Sequence, residues 1–194
     1  MATLLVTMTG TALADYRNHW GDHPEQVTLS GQLEYGAWTG DGDTNAYGFG
    51  IGFRGGYTFD MGLYLGGDFD YFFGEDNGGS VAGIAGASTH VNVWNVMGEI
   101  GYDFWIYRHG ILRPKLGLGV GVGHGSACVS VNILNVGGAC DSNSQSGFAI
   151  APGVQFLHFF SNVYFTGELR YQTISIDGPD PSAFIFAAGV GVAL

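Results

Sequence analysis

The residues best placed to do chemistry in this 194-residue chain are ten charged side chains at alternating positions within apolar segments. Six are acids and four are bases: Glu34, Arg54, Asp68, Asp70, Glu99, Asp103, Arg113, Lys115, Glu168 and Arg170. Successive side chains of a β-strand point to opposite faces, so these charges would share one face and the apolar residues the other. Because an unpaired buried charge is costly, acids and bases on one enclosed face predict a network of ion pairs.

The stretch 92–122 shows this arrangement most clearly, as two alternating arms joined by a short turn at residues 108–110. One face of each arm is aromatic or aliphatic, and the other carries acids on the first arm and bases on the second. About this turn, Asp103 is expected to lie opposite Arg113, within pairing distance of neighbouring strands. The stretch therefore predicts a long hairpin with one apolar and one charged face.

The same alternation along the whole chain predicts eight strands. They are expected at residues 26–38, 46–59, 61–73, 92–104, 112–122, 147–158, 163–175 and 183–194. Short turns follow the second, fourth and sixth strands, and longer polar loops follow the others, with 74–90 and 124–146 the longest. This asymmetry, with apolar residues outside and charges inside, predicts an all-β, eight-stranded, antiparallel, up-and-down transmembrane β-barrel. Many of the 35 glycines fall on the inward face, where they would make room for long side chains.

Composition narrows the alternatives. The chain is 46% apolar and 12% charged, yet it lacks the run of apolar residues that a transmembrane helix needs. Its net charge of −11 argues against a nucleic-acid partner. The rival fold is a soluble lipocalin-like barrel with apolar residues inside. Its lumen would be overfilled with large side chains and its outer wall would be nearly half glycine, so the membrane barrel is favoured.

The chain divides into three parts. Residues 1–14 end in Ala12-Leu13-Ala14 and predict a signal peptide, although a basic start is missing. Residues 15–25 are expected to be a periplasmic leader, and residues 26–194 the barrel.

Two further residue pairs could form a disulfide or bind a metal. Cys128 and Cys140 lie in a loop predicted to face an oxidising compartment, which favours a disulfide over two free thiols. His19 and His23 have a spacing that could ligate a metal on a helix, but a flexible leader is favoured. No cofactor and no resident metal are predicted.

The barrel region 26–194 resembles the small outer-membrane barrels of the OmpA/OmpX-like superfamily, on its strand number, alternation and loop asymmetry. It departs from that pattern at Leu194, where such barrels often end in an aromatic residue. The resemblance implies a bacterial outer-membrane location with both termini in the periplasm. It also implies a non-enzymatic role in envelope integrity or surface adhesion. The implied partners are outer-membrane lipid, lipopolysaccharide and a host or cell-surface ligand bound by the loops.

Two alternatives stay open at this level. The same inward charges could line a narrow channel. His158, Ser161 and Glu168 invite comparison with the triad of lipid A deacylases, although a nucleophile and its base must lie within hydrogen-bond reach. The acidic loops could also hold Ca²⁺ or Mg²⁺ that bridges lipopolysaccharide, since hard cations prefer oxygen ligands.

Overall fold

The computed structural model describes residues 25–39, 45–74, 77–81, 85–131, 139–176 and 180–194. Within these ranges the regular structure is entirely β. The segments are β1 (Gln26–Trp38), β2 (Gly48–Thr58), β3 (Leu63–Phe72), β4 (Asn77–Val81), β5 (Ala85–Tyr102), β6 (Phe104–Tyr107), β7 (Gly110–Val131), β8 (Ala139–Phe160), β9 (Val163–Ser175) and β10 (Ser182–Ala193). None of the described residues belongs to a helix long and apolar enough to cross a membrane.

The ten segments form eight strands of one closed ring. Segments β3 and β4 both pair with β5, and segments β5 and β6 both pair with β7, so each couple forms one interrupted strand. The ring closes where β1 pairs with β10, from Thr28↔Ala193 to Trp38↔Ala183, and every pairing is antiparallel. The predicted eight-stranded antiparallel barrel is confirmed.

The two faces of the wall have opposite chemistry. Outward apolar side chains are open, with Leu33 72% and Phe49 73% exposed, whereas the inward Glu34 and Arg113 are 2% and 1% exposed. A water-soluble barrel would show the reverse, because charged residues are almost never fully buried without partners. The wall is that of a lipid-facing barrel, and the lipocalin-like alternative is wrong.

Three segments are much longer than the sequence predicts. β5 has 18 residues, and β7 and β8 have 22 each, so the expected loops 74–90 and 124–146 are largely strand. The β7–β8 ladder runs from Gly110↔His158 to Val129↔Ala139, while β9 reaches β8 only up to Phe148. Four segments therefore continue beyond the ring as a sheet made of 77–81, 85–92, 124–131 and 139–147, here called the sheet extension. The sheet extension consists mostly of small and polar residues. It therefore lacks hydrophobic alternation, the signal on which the sequence prediction depends.

Two aromatic residues at the loop ends of their strands point into the lumen. Tyr47 is fully buried, and Trp38 packs against the same luminal cluster. Gly48 adopts a positive φ of 57°, and Asn45 Oδ1 accepts a hydrogen bond from the Tyr47 N–H at 3.1 Å, which turns Tyr47 inward before β2 begins. Trp38 lies four residues after Glu34 on the same strand, so both share the luminal face.

Pro152 interrupts one ladder without shifting the register. Pairing between β8 and β9 stops after Ile150↔Thr173 and resumes in the same register at Gly153↔Arg170. Proline has no N–H to donate, so the missing pairs are a local effect of the expected kind.

Inward glycines leave space for luminal aromatic rings. A Cβ atom at Gly56 would lie 2.3 Å from Tyr64 Cε2, and one at Gly66 would lie 2.2 Å from Tyr64 Oη and 2.8 Å from the Gly55 carbonyl oxygen. By contrast, a Cβ atom at the outward Gly167 would meet nothing within 4 Å. Glycine at position 66 is therefore required by packing.

Replacing Gly66 by Ala should destabilise the barrel by about 2 kcal/mol, because overfilling a packed interior costs roughly 1–3 kcal/mol. The matched control is Gly167→Ala, which should be neutral or slightly stabilising, since the unfolded chain loses freedom. The measurement is urea unfolding in detergent, followed by tryptophan fluorescence. Equal effects of the two changes would contradict this account of Gly66.

Candidate functional site

The lumen is divided into three layers along the barrel. Towards the longer loops lies an apolar cluster, here called the loop-end cluster: Tyr47, Phe72, Val93, Met97, Ala149, Ala151, Ile174, Ala183 and Ile185. Towards the short turns lies a smaller turn-end cluster: Ile111, Leu157, Phe159 and Tyr164. The ten predicted charges lie between them, all at most 6% exposed. Sequence reasoning missed both apolar clusters, although strict alternation along each strand would have placed all their members except Tyr47 inside.

Arg54 lies at the centre of the charged layer. Its Nη2 is 3.1 Å from Asp68 Oδ2 and its Nε is 2.9 Å from Glu99 Oε2, while its Nη1 pairs with Glu168 on the far wall. Arg54 and Asp68 are direct cross-strand partners on β2 and β3, which fixes the first contact. One guanidinium thus links three carboxylates from three strands.

Arg170 is the second hub, and it, rather than Arg54, pairs with Glu34. Its Nη2 is 3.2 Å from Glu34 Oε2 and also pairs with Asp70, and its Nη1 is 3.0 Å from Asp68 Oδ2. Glu34 lies opposite Gly50 in the ladder, four residues along β2 from Arg54. That register separates Glu34 from Arg54 and brings it to Arg170 instead.

Lys115 completes the middle of the network. Its Nζ pairs with Glu99 on the adjacent strand and lies 2.9 Å from Glu168 Oε2. Glu168 therefore receives Arg54, Lys115 and Arg170 together. A carboxylate with three cationic partners stabilises the charged form of each neighbour.

Arg113 and Asp103 form a self-contained pair near the turn end. Arg113 Nη2 donates to Asp103 Oδ2 at 2.8 Å, and Nε pairs with the other carboxylate oxygen. Thr58 Oγ1 accepts from Arg113 at 3.2 Å and donates to Asp103 at 3.1 Å. The guanidinium carbon lies 3.7 Å above the ring of Tyr64, a cation–π contact. The expected pairing of these two charges across the hairpin is the arrangement observed.

The candidate hydrolase residues are not brought together. His158 lies on the outer face, where its Nδ1 is 2.6 Å from Tyr107 Oη, whereas Glu168 is buried in the lumen. Ser161 lies in the two-residue turn between β8 and β9 and donates to Asn162 Oδ1 at 3.3 Å. Gln155 is the cross-strand partner of Glu168, so His158, three residues on, points to the opposite side of the wall. This geometry offers no charge relay among the three.

The sheet extension carries the two cysteines. Cys128 and Cys140 are direct cross-strand partners and are joined by a disulfide. Nearer the ring, His124 Nδ1 lies 2.6 Å from Ser144 Oγ, again between β7 and β8. Residues 140–146 are exposed. His19 and His23 lie outside the described residues, as do Asp41, Asp43, Glu75, Asp76 and Asp177 among the acidic loop residues.

Comparison with known proteins identifies the family. A family model described as "Outer membrane protein beta-barrel domain" matches residues 1–193. The chain belongs to this family. Membership places it in a bacterial outer membrane, in agreement with the apolar outer wall. None of the curated protein sequences compared with the chain matches it.

Solved structures share the fold at low sequence identity. Ail, the attachment invasion locus protein of Yersinia pestis, is 18% identical with a TM-score of 0.56, covering 89% of this chain and 100% of Ail. Neisserial surface protein A is 14% identical with a TM-score of 0.57, covering 86% and 96%. A major outer membrane protein from Thermus thermophilus is 9% identical with a TM-score of 0.62, covering 89% and 100%. These likenesses are evidence of fold alone.

Removing Arg54 should destabilise the barrel strongly. Arg54→Ala leaves three buried carboxylates without their shared cation, and breaking a buried ion pair typically costs about 3–5 kcal/mol. The measurement is urea unfolding in detergent. The control is Arg108→Ala in the exposed turn, where the change should stay within about 0.5 kcal/mol. An Arg54 variant as stable as the control would contradict the hub role.

Proposed function

We propose that this chain is a non-enzymatic, sealed outer-membrane barrel that acts in surface attachment through its sheet extension. Its lipid-facing wall would also contribute to envelope integrity by contact with membrane lipid and lipopolysaccharide. The observation that carries the proposal is the extension itself: β7 and β8 continue about eight residues beyond the ring. Crossing a membrane takes strands of only about 9–11 residues, so these additional residues serve something outside the bilayer.

The orientation follows from loop length. Short turns face the periplasm in outer-membrane barrels and longer loops face the outside. The extension lies on the side of the longer loops, and both ends of the barrel lie on the side of the short turns. We therefore infer that the extension faces the medium and that both termini lie in the periplasm. Disulfides persist both outside the cell and in the periplasm, which is in keeping with the Cys128–Cys140 bridge in the extension.

One edge of the extension suits the capture of an extended segment. Among the described residues, 139–147 of β8 pair with β7 alone, so the other backbone edge of 139–146 has no cross-strand partner there. Natural sheets usually protect such an edge with lysine, proline or a bulge, and the sequence Ala-Cys-Asp-Ser-Asn-Ser-Gln-Ser-Gly contains neither residue. Main-chain hydrogen bonds along an open edge are a recurring mode of peptide recognition. The bridge at Cys140 keeps this edge attached to β7.

The charge of the loop end limits the class of partner that can bind there. One crystal structure of Ail contains the heparin analogue sucrose octasulfate. In the present chain the loop end has no lysine or arginine, and it carries seven acids: Asp41, Asp43, Glu75, Asp76, Asp141, Asp177 and Asp180. Like charges repel, so we do not expect a sulfated glycan to bind directly. A neutral or basic protein surface is the partner that fits.

Attachment should depend on the extension. Residues 126–142 can be replaced by Asn-Gly, because Gly125 and Asn143 are cross-strand partners and a two-residue turn joins such a pair. Cells of a non-adherent bacterium displaying the full chain should bind cultured epithelial cells at least about tenfold better than cells displaying the shortened chain. Soluble heparin should not compete, because the loop end repels polyanions.

Two controls make that result interpretable. Both chains must reach the surface in equal amounts and show the same heat-dependent migration in SDS gels, which reports an intact closed barrel. A full-length variant with Cys128→Ser and Cys140→Ser should lose part of the adhesion, since its edge is no longer tethered. If the shortened chain adheres as well as the full chain, the attachment function is wrong.

The channel alternative makes a different prediction. Apolar clusters fill the lumen on both sides of the charged layer, so the full chain should show no steady conductance in planar bilayers. Hydrophobic constrictions exclude water and ions from a pore. Reproducible single-channel steps with cation preference would support the channel and contradict the sealed barrel. Arg54→Ala serves as a comparison, because disrupting the network should increase leakage above the wild-type level.

A further inference from the structure

Part of the charged layer contains carboxylate oxygens without a donor among the described residues. Glu34 Oε1 and Asp70 Oδ1 accept no hydrogen bond from that part of the chain, although both side chains are at least 98% buried. The other oxygen of each carboxylate pairs with Arg170. Buried polar atoms without partners are rare in proteins, and a bound water or ion is a common explanation.

The two free oxygens converge on one place in the barrel. A Cβ atom at Gly52 would lie 2.6 Å from Glu34 Oε1 and 2.7 Å from Asp70 Oδ1. Because Gly52 has no side chain, the space in front of its Cα remains available to both oxygens. Arg170 Nη2 pairs with the other oxygen of both groups, and one guanidinium charge leaves this pair of carboxylates with one formal negative charge.

A neutral side chain at the same level independently indicates a ligand. Asn95 is fully buried, and within the ranges that the structure describes neither its Oδ1 nor its Nδ2 has a hydrogen-bond partner. Gly52 and Asn95 are the two cross-strand partners of Asp70, one on each side of it and on the same luminal face. An amide oxygen next to a carboxylate, as Asn95 is next to Asp70 in the ladder, is a typical component of a site for a hard cation.

The net charge of the charged layer also indicates a missing positive group. Arg113 and Asp103 neutralise each other, which leaves five acids and three bases: Glu34, Asp68, Asp70, Glu99 and Glu168 against Arg54, Lys115 and Arg170. For the part of the chain that the structure describes, the formal surplus is two negative charges in a lumen with an apolar cluster at each end. Uncompensated charge in such an interior is very unfavourable.

We propose that the lumen binds one hard divalent cation, Ca²⁺ or Mg²⁺, between Glu34 Oε1 and Asp70 Oδ1, with Asn95 Oδ1 as a third protein ligand. One such ion would neutralise the surplus and satisfy the free oxygens at once. Among the described residues no three His, Cys, Asp or Glu side chains converge as a metal site, and this one uses two carboxylates and an amide. The sequence alone gives no sign of it, because the three ligands lie on three strands and one is neutral.

Metal content after refolding tests the proposal. The full chain is refolded from urea into detergent with CaCl₂, with MgCl₂ or with EDTA, desalted, and analysed by inductively coupled plasma mass spectrometry. The wild type should retain about one equivalent of one of the two metals, and the two metal arms identify which one. The metal-loaded barrel should also unfold at a higher temperature than the barrel refolded in EDTA.

Variants locate the ion. Glu34→Gln and Gly52→Ala should each reduce the retained metal to less than about a tenth of the wild-type amount, one by removing a ligand charge and the other by filling the space. Asp103→Asn removes an equal charge from the Arg113 pair elsewhere in the lumen and should keep the metal. Two outcomes overturn the proposal for the wild type itself: no retained metal under any condition, or equal unfolding temperatures with and without metal. Loss of metal in Asp103→Asn to the same degree as in Glu34→Gln would overturn the assigned location.

A shared proton is the competing explanation, and it has its own signature. If a proton joins Glu34 and Asp70, the metal-free wild type should show the infrared carbonyl band of a protonated carboxyl group, and Glu34→Gln should abolish it. That band in a protein that retains no metal would replace the cation by a proton.

Discussion

Burying charge inside a closed wall is the constraint on which the rest of this structure depends. Inside a ring of eight strands a guanidinium or carboxylate is out of contact with bulk water, so each must find partners among the side chains opposite. Arg54 and Arg170 satisfy this by bridging several strands at once. Those bridges specify which residues face each other across the lumen, and with them the register of the surrounding ladders. Glycine at positions such as 56 and 66 is a consequence, because long side chains need the space that a Cβ atom would occupy.

The apolar clusters at both ends make this arrangement self-contained. In the sealed barrel proposed above they would exclude water from the charged layer, which would strengthen each electrostatic contact inside it and raise the cost of any contact left unmade. The same exclusion explains why the imbalance of acids over bases matters. On a surface in contact with water, dissolved ions would screen a surplus of two charges within a Debye length. Inside the lumen the same surplus would have to be neutralised by a specific bound group.

The sequence predicted the wall well and the extension poorly, for one physical reason. Within the bilayer, every strand separates lipid from a polar interior, so hydrophobicity alternates and residues such as Glu99 and Lys115 could be assigned to the lumen from their positions alone. In the sheet extension the hydrophobic alternation disappears, so the sequence of residues 124–131 looks like that of a loop. The sequence pattern puts Tyr47 on the wrong face because a single positive φ at Gly48 reverses the alternation. Partners across the lumen, such as Arg170 for Glu34, depend on strand tilt and shear, which no local pattern contains.

The long ladder between β7 and β8 has a mechanical consequence. Its pairs run continuously from the short turn at Gly110 to the tip of the extension, parallel to the direction in which an attached partner would pull. Backbone hydrogen bonds lie across the strands, so such a pull loads them in shear, and many must fail together before either strand slides. The bridge between Cys128 and Cys140 distributes a force applied to one strand over both. A molecule built in this way would transmit tension from the cell surface into the barrel wall without peeling apart at its tip.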